Sequence, residues 1–306
     1  MWVQSVGCGV RALTFARDGR TLYTLDTQGR LIAWDTSTRA KREVAQETSW
    51  SYGYAESFLE LPNGCVVIEL PEEFNLVDSE TGEVTVRTTP NRDISSYLGQ
   101  VLADGRVFFL HESEFAICRT DLLTGAKLSS LRVPDVEPNR GVVDLLSVAL
   151  DGRSAFVRGP IPGGHVLFDI TPKHKLVRRE PQTMIPKRVI PRFAPDGSAL
   201  VLFHVLFHAG QPELTVWDME RREARGKPVW WAGGEVRIAF NPVLPLFAVP
   251  HTANTVAVRS LETGELVREL DFALGKQITA LAFAPDGLTC AVGGTNKRFA
   301  VFDVDV

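Results

Sequence analysis

The stretch LIAWDTSTRA, residues 31–40, runs four strand-forming residues into Trp34-Asp35 and then into the turn formers Thr36-Ser37-Thr38. Alone, the Trp-Asp pair would be an aromatic residue ahead of a turn. Its place in the chain recurs, however. Trp34-Asp35 is echoed by Val77-Asp78, Thr120-Asp121, Phe168-Asp169, Trp217-Asp218, Arg259-Ser260 and Phe302-Asp303, with second residues 43, 43, 48, 49, 42 and 43 apart. The tryptophan is kept twice and the position seven times. A fixed period of this length is the mark of a repeat architecture.

A second mark keeps the same beat. Asp-Gly or Asn-Gly pairs stand at Asp18-Gly19, Asn63-Gly64, Asp104-Gly105, Asp151-Gly152, Asp196-Gly197 and Asp286-Gly287, with glycines 45, 41, 47, 45 and 90 residues apart. Asn241-Pro242, near the middle of the long gap, is itself a turn signal. Thr-Gly follows the first mark at Thr81-Gly82, Thr124-Gly125 and Thr263-Gly264. Seven such units account for nearly all 306 residues, so 1–306 reads as a single domain.

Each unit reads as four strands. The first has Val10 to Phe15, an Asp-Gly turn supplying the positive φ of a hairpin, Thr21 to Leu25, a turn at Gly29, Leu31 to Trp34, and Ala40 to Val44. The last repeats this order in ITALAFAPDGLTCAVGGTNKRFAVFD. The first three strands are almost continuously apolar (ALTF, ALAF, LTVW), as strands buried on both faces are. The fourth strands (AKREV, TVRT, LVRRE, LVREL) mix charged with apolar residues, as a water-facing edge does. No run of ten or more residues carries a helical period. The predicted fold is therefore all-β, a seven-bladed β-propeller of four-stranded antiparallel blades.

Over essentially its full length the sequence resembles a divergent WD40-repeat protein, through its period, its Asp-Gly turn and its Trp-Asp or Phe-Asp ending. It also departs from that pattern. No Gly-His opens the units, and the positions six residues before Trp34, Trp217 and Phe302 hold Gln28, Gln211 and Asn296 in place of the family's Asp. The family's buried Asp–His network is accordingly expected to be absent, with apolar packing holding the blades. Propellers of the YVTN and quinoprotein types, suggested by LVDSETGEV, would give the same fold. The resemblance further implies that the ends of the chain close the ring. The last unit has three strands, so Trp2 to Val6 should pair as its outermost strand and cover an otherwise open edge.

A net charge of −4 and a pI of 5.9 argue against a chain-wide grip on nucleic acid or on an anionic membrane surface. The strongest apolar run, Ala199 to Phe203, falls far short of the roughly 20 residues a membrane-spanning helix needs. Cys8, Cys65, Cys118 and Cys290 form no C-x-x-C pair, so they read as reduced, mostly buried thiols of a cytoplasmic protein with no zinc site. The sequence opens with no basic-then-apolar leader pattern. It contains no phosphate-binding glycine loop and no G-x-S-x-G elbow, so no cofactor is expected. On a strand His204 and His208 would lie about 13 Å apart, too far to share a metal. Glu69, Glu72 and Glu73 in ELPEEF read as a solvated hairpin.

In a propeller the second-to-third-strand and fourth-to-first-strand loops share one end of the ring. Several of those loops carry aromatics where loops are usually polar. Trp50, Tyr52 and Tyr54 lie in ETSWSYGYAES, Trp230 and Trp231 in KPVWWAGGEV, and Phe207 and His208 near the tip of the long hairpin in unit five. Arg140 in RVPDVEPNRGVV, with Arg92, Lys187 and Arg188, adds cations to the same rim. Large aromatics and arginines on a rigid frame are the composition of interaction hot spots. The expected function is a non-catalytic scaffold for a protein or peptide partner, a monomer and not an enzyme. The alternative is a propeller enzyme or small-molecule binder working at the channel mouth. There the predicted lining residues Arg11, Glu56, Ser95, Arg188 and Lys276 offer one carboxylate among cations, poor equipment for acid–base chemistry. A third reading is a module that serves within, or beside, a larger protein.

Overall fold

The computed structural model describes residues 1–47, 50, 58–70, 73–88, 99–102, 104–111, 116–135, 145–159, 161, 165–171, 175–179, 189–204, 212–231, 236–272 and 277–304. Strand β1 (Trp2–Ser5) precedes the first blade, the meander β2 (Val10–Phe15), β3 (Thr21–Asp26), β4 (Arg30–Asp35) and β5 (Lys41–Gln46). Blade two is β6 (Phe58–Glu60), β7 (Cys65–Leu70), β8 (Glu73–Asp78) and β9 (Val84–Thr88). Blade three is β10 (Gly99–Val101), β11 (Arg106–His111), β12 (Ala116–Asp121) and β13 (Lys127–Arg132). Blade four is β14 (Leu145–Val148), β15 (Ser154–Arg158), β16 (His165–Ile170) and β17 (Leu176–Arg179). Blade five is β18 (Val189–Phe193), β19 (Ala199–His204), β20 (Glu213–Asp218) and β21 (Glu223–Trp230). Blade six is β22 (Ala239–Phe240), β23 (Leu246–Pro250), β24 (Thr255–Ser260) and β25 (Leu266–Asp271). Blade seven is β26 (Ile278–Phe283), β27 (Thr289–Gly294) and β28 (Arg298–Asp303), with β1 as its fourth strand. β1 runs antiparallel to β28 with Trp2 opposite Val301 and Ser5 opposite Arg298, so the N-terminal strand closes the last blade as predicted. The fold is a seven-bladed β-propeller.

Both sequence marks are turn chemistry. In the first-to-second-strand turn of blade one, Asp18 Oδ1 accepts the backbone N–H groups of Arg20 at 2.8 Å and Thr21 at 3.1 Å, while Gly19 takes φ 69°. Asp104, Asp151, Asp196 and Asp286 bond the chain two residues on in the same way. Blade six has no glycine here. Its Asn241 Oδ1 accepts from Val243 at 2.9 Å and Leu244 at 2.8 Å instead.

The residue after the tryptophan position makes the third-to-fourth-strand turn. Asp35 Oδ1 accepts from the N–H of Ser37 at 2.9 Å and of Thr38 at 2.7 Å, and the N–H of Arg39 closes on the Asp35 carbonyl. Arg39 sits at φ 64°; in the same place Gly82, Gly125 and Gly264 have φ 75°, 73° and 78°, which is why Thr-Gly recurs there. Asp78, Asp121 and Asp218 repeat the turn, and in blade six Ser260 Oγ serves as the acceptor. The backbone N–H of Thr38 and the hydroxyl of Ser37 hold the Asp35 carboxyl down at about 2, and the N–H of Thr81 lowers Asp78 likewise.

The chain divides into two compact units, one of Met1–Leu70, Asn75–Val86 and Val229–Val306, the other of Pro71–Phe74 and Arg87–Pro228. In each, apolar cores form between successive blades. The first unit has a core joining blades one and seven (Val10, Leu13, Trp34, Ala291, Phe299), one joining one and two (Tyr23, Leu31, Val66, Ile68), and one joining six and seven (Ala248, Phe283, Cys290, Phe302). The second joins blades three and four (Phe108, Ile117, Val157, Phe168) and four and five (Phe156, Leu167, Leu202, Trp217). Second strands are the most buried, as β3, β19, β23 and β27 show, while β5 and β25 face water along most of their length.

Trp34 is a scaffold residue. Its ring packs edge-on against Phe299 with centroids 5.0 Å apart, and Nε1 donates to Thr24 Oγ1 at 2.9 Å. Burying such a side chain removes roughly 200 Å² from water and contributes on the order of 5 kcal/mol. Polar anchoring at the β3–β4 turn comes from buried Asp26, eight residues before Trp34. Its Oδ1 accepts from the N–H of Gln28 at 2.8 Å and of Arg30 at 3.0 Å, and its Oδ2 from Arg30 Nε at 2.7 Å.

Candidate functional site

Of the residues expected to meet a partner, Tyr52, Tyr54, Arg92, Arg140, Arg188, Phe207 and His208 lie outside the described residues, as do Lys187, Glu56, Ser95 and Lys276. The three tryptophans separate sharply. Trp50 is 0% exposed, folded into the core between blades one and two, with Arg11 Nη1 donating to its carbonyl. Trp231 is 2% exposed. These two are corrections: an aromatic loop residue is as able to fold inward as to project, and burial rewards the former. Trp230 is 38% exposed, and it ends strand β21 rather than lying in a loop.

Two further side chains of the first unit, His251 and Arg259, hold Trp230. Its ring stands edge-on to His251 with centroids 4.7 Å apart. His251 opens the β23–β24 turn, where its N–H bonds Thr255 O at 2.9 Å, and its Nε2 lies 3.9 Å from Glu269 Oε1 on β25. The Trp230 carbonyl accepts from Arg259 Nη2 at 3.0 Å, while Arg259 Nη1 donates to Gly264 O at 3.1 Å. Arg259 is 5% exposed, and burial lowers its pKa from the ordinary value. Among the described residues its partners are carbonyl oxygens, and Nε has no acceptor. A buried guanidinium is costly unless geometry fixes it, and here it ties the end of β21 to blade six. The result is an exposed indole whose backbone and one ring edge are both fixed.

In the sequence Arg259-Ser260 replaces Trp-Asp, and nothing else there points to a role for Arg259. The available signal was a cation at a position that is apolar or aromatic in most of the other units. Glu69 is a third correction. It is 5% exposed within β7, not on a solvated hairpin; Glu73 begins β8 half-buried, and Glu72 lies outside the described residues. His204 Nε2 pairs with Thr215 Oγ1 at 2.9 Å, and burial lowers its pKa. Cys118 and Cys290 are buried, and burial pushes the Cys290 thiol up; Cys8 and Cys65 are half-buried. Among the described residues no group of three His, Cys, Asp or Glu side chains is placed to hold a metal ion, and no helix is long and apolar enough to cross a membrane.

No family model matches the chain, and no curated protein matches it. Among solved structures it is similar to Kuenenia stuttgartiensis hydrazine synthase, with 13% sequence identity and a TM-score of 0.68 over 97% of this chain and 96% of that one. At this identity the likeness shows the fold alone. The solved chains that match this one number 1682, so the fold by itself selects no activity.

Proposed function

We propose that the chain is a non-catalytic interaction scaffold, a divergent WD40-like propeller that presents rim residues to a protein or peptide partner and works as a cytoplasmic monomer. The observation that carries this reading is Trp230, 38% exposed yet fixed by Arg259 and His251. A rigid, half-exposed indole loses little conformational entropy on binding and offers a large apolar face, the usual make-up of a hot-spot anchor. The test is comparative capture from a lysate of the source cell, with native protein beside Trp230→Ala. Native protein should retain a defined partner that the variant loses, both having the same melting temperature. Equal recovery by the two places the binding surface elsewhere. No protein captured by either, together with a thermal shift from a small metabolite, would favour a small-molecule binder.

A further inference from the structure

A second surface, independent of Trp230, lies at the strand ends of blades six and seven that carry the first-to-second-strand turns. In most blades the residue after the turn glycine is polar: Arg20, Arg106, Arg153 and Ser198. Blades six and seven differ. Pro242, Val243, Leu244 and Pro245 are all exposed, and so are Pro285 and Leu288 in the next turn. Val243 is 63% and Leu288 61% exposed.

These turns form one surface. Asn241 Nδ2 donates to Gly287 O at 2.7 Å, joining the two hairpins. Both third-strand ends are tied in as well, by Leu261 N–H to Pro245 O at 2.7 Å and Val304 N–H to Leu288 O at 2.6 Å. Those segments bring exposed carboxylates at Glu262, Glu265, Asp286 and Asp303. Residues 241–246, 260–266, 284–289 and 303–304 include no lysine or arginine; the nearest described cations, exposed Arg17 and Arg20, stand on the blade-one turn whose Gly19 lies beside Pro285. The patch is thus apolar at its centre and acidic along its own blade-six and blade-seven turns.

We propose that this patch docks a short protein segment carrying apolar anchors flanked by lysine or arginine. Apolar side chains would cover Val243, Leu244 and Leu288, and the basic flanks would meet the four carboxylates. The four carboxylates of blades six and seven disfavour an anionic membrane over these turns, and a second copy of this patch would bring them against like charges.

The test uses a fluorescent peptide of alternating leucine and lysine, titrated against the full chain by fluorescence polarisation. Native protein should bind it, more weakly as salt rises. The doubly substituted Val243→Ser, Leu288→Ser protein should bind at least about tenfold more weakly with an unchanged melting temperature, because two anchors are lost. Glu262→Gln should weaken binding with a shallower salt dependence. A leucine–glutamate peptide binding as well as the lysine one would overturn the proposal, as would equal binding by native and double-variant protein. It would equally be overturned if the double substitution abolished binding to anionic vesicles, or dimerisation seen by light scattering, without changing peptide affinity.

Discussion

Gly293 in β27 packs directly on Val10 and Leu13 of blade one, and Gly293→Ala measures how tightly the two blades pack. A Cβ at this position would stand 2.5 Å from Val10 Cγ1, 2.9 Å from Val10 Cβ and 3.1 Å from Leu13 Cδ2. Real Cβ contacts do not come this close, so something must move by roughly 1 Å. Val10 has little freedom to do so. It is 1% exposed, β-branched, and its carbonyl accepts from Thr279 Oγ1. Overpacking of this kind costs about 1–3 kcal/mol, which in a chain of this size lowers the melting temperature by roughly 2–6 °C. Val10→Ala alone should cost about 2 kcal/mol by leaving a cavity. Combined, the two changes should partly cancel, the alanine methyl filling the space the valine vacates, with a favourable coupling of about 1 kcal/mol or more. Urea unfolding midpoints of native, two single and double variants give the cycle. Additive losses, or a Gly293→Ala protein as stable as native, would refute the described contact.

Three other outcomes follow from the same geometry. Deleting residues 1–7 removes β1 from blade seven together with the edge-on Trp2–Phe299 contact at 5.4 Å, and should lower the melting temperature by roughly 10 °C; an unchanged curve rules out closure by this strand. Thr24→Val leaves buried Trp34 Nε1 without its acceptor and should cost about 1–2 kcal/mol in a urea titration, whereas Thr24→Ser should cost less; equal stability of the Val variant would mean the bond contributes nothing. Acid should loosen the third-to-fourth-strand turns. Asp35 and Asp78 have folded pKa values below their unfolded ones, so their stabilisation is complete above about pH 4 and fades as pH falls toward 2; Asp35→Ala should flatten that part of the stability–pH profile, and an unaltered profile would remove Asp35 from the account.

The fold was legible because its punctuation is local chemistry. A turn needs an acceptor at position 35, 78, 121, 218 or 260, and Asp or Ser can supply it, so the place persisted where the tryptophan did not. Packing beside the acceptor needs bulk and not identity, and Val77, Phe168 and Phe302 serve. The closing strand was readable from the unfilled edge of blade seven. The site was less legible because exposure depends on how a loop folds back. Trp50, Trp230 and Trp231 look alike in sequence, yet only Trp230 reaches water to any extent. The burial of Glu69 and Arg259 escapes the sequence for a related reason: a charged residue inside a strand takes the burial of its register position, and single-sequence pattern gives no view of the partners that make this tolerable.

The scaffold reading is tested most directly by placing a photo-crosslinking amino acid at position 230 and irradiating the protein in the source cell. One protein or peptide should be trapped in a defined adduct, and the same probe at exposed Lys41 on β5 should not trap it. Irradiation that yields no adduct at position 230, or identical adducts from both positions, would contradict the assignment of this rim as the partner-binding surface.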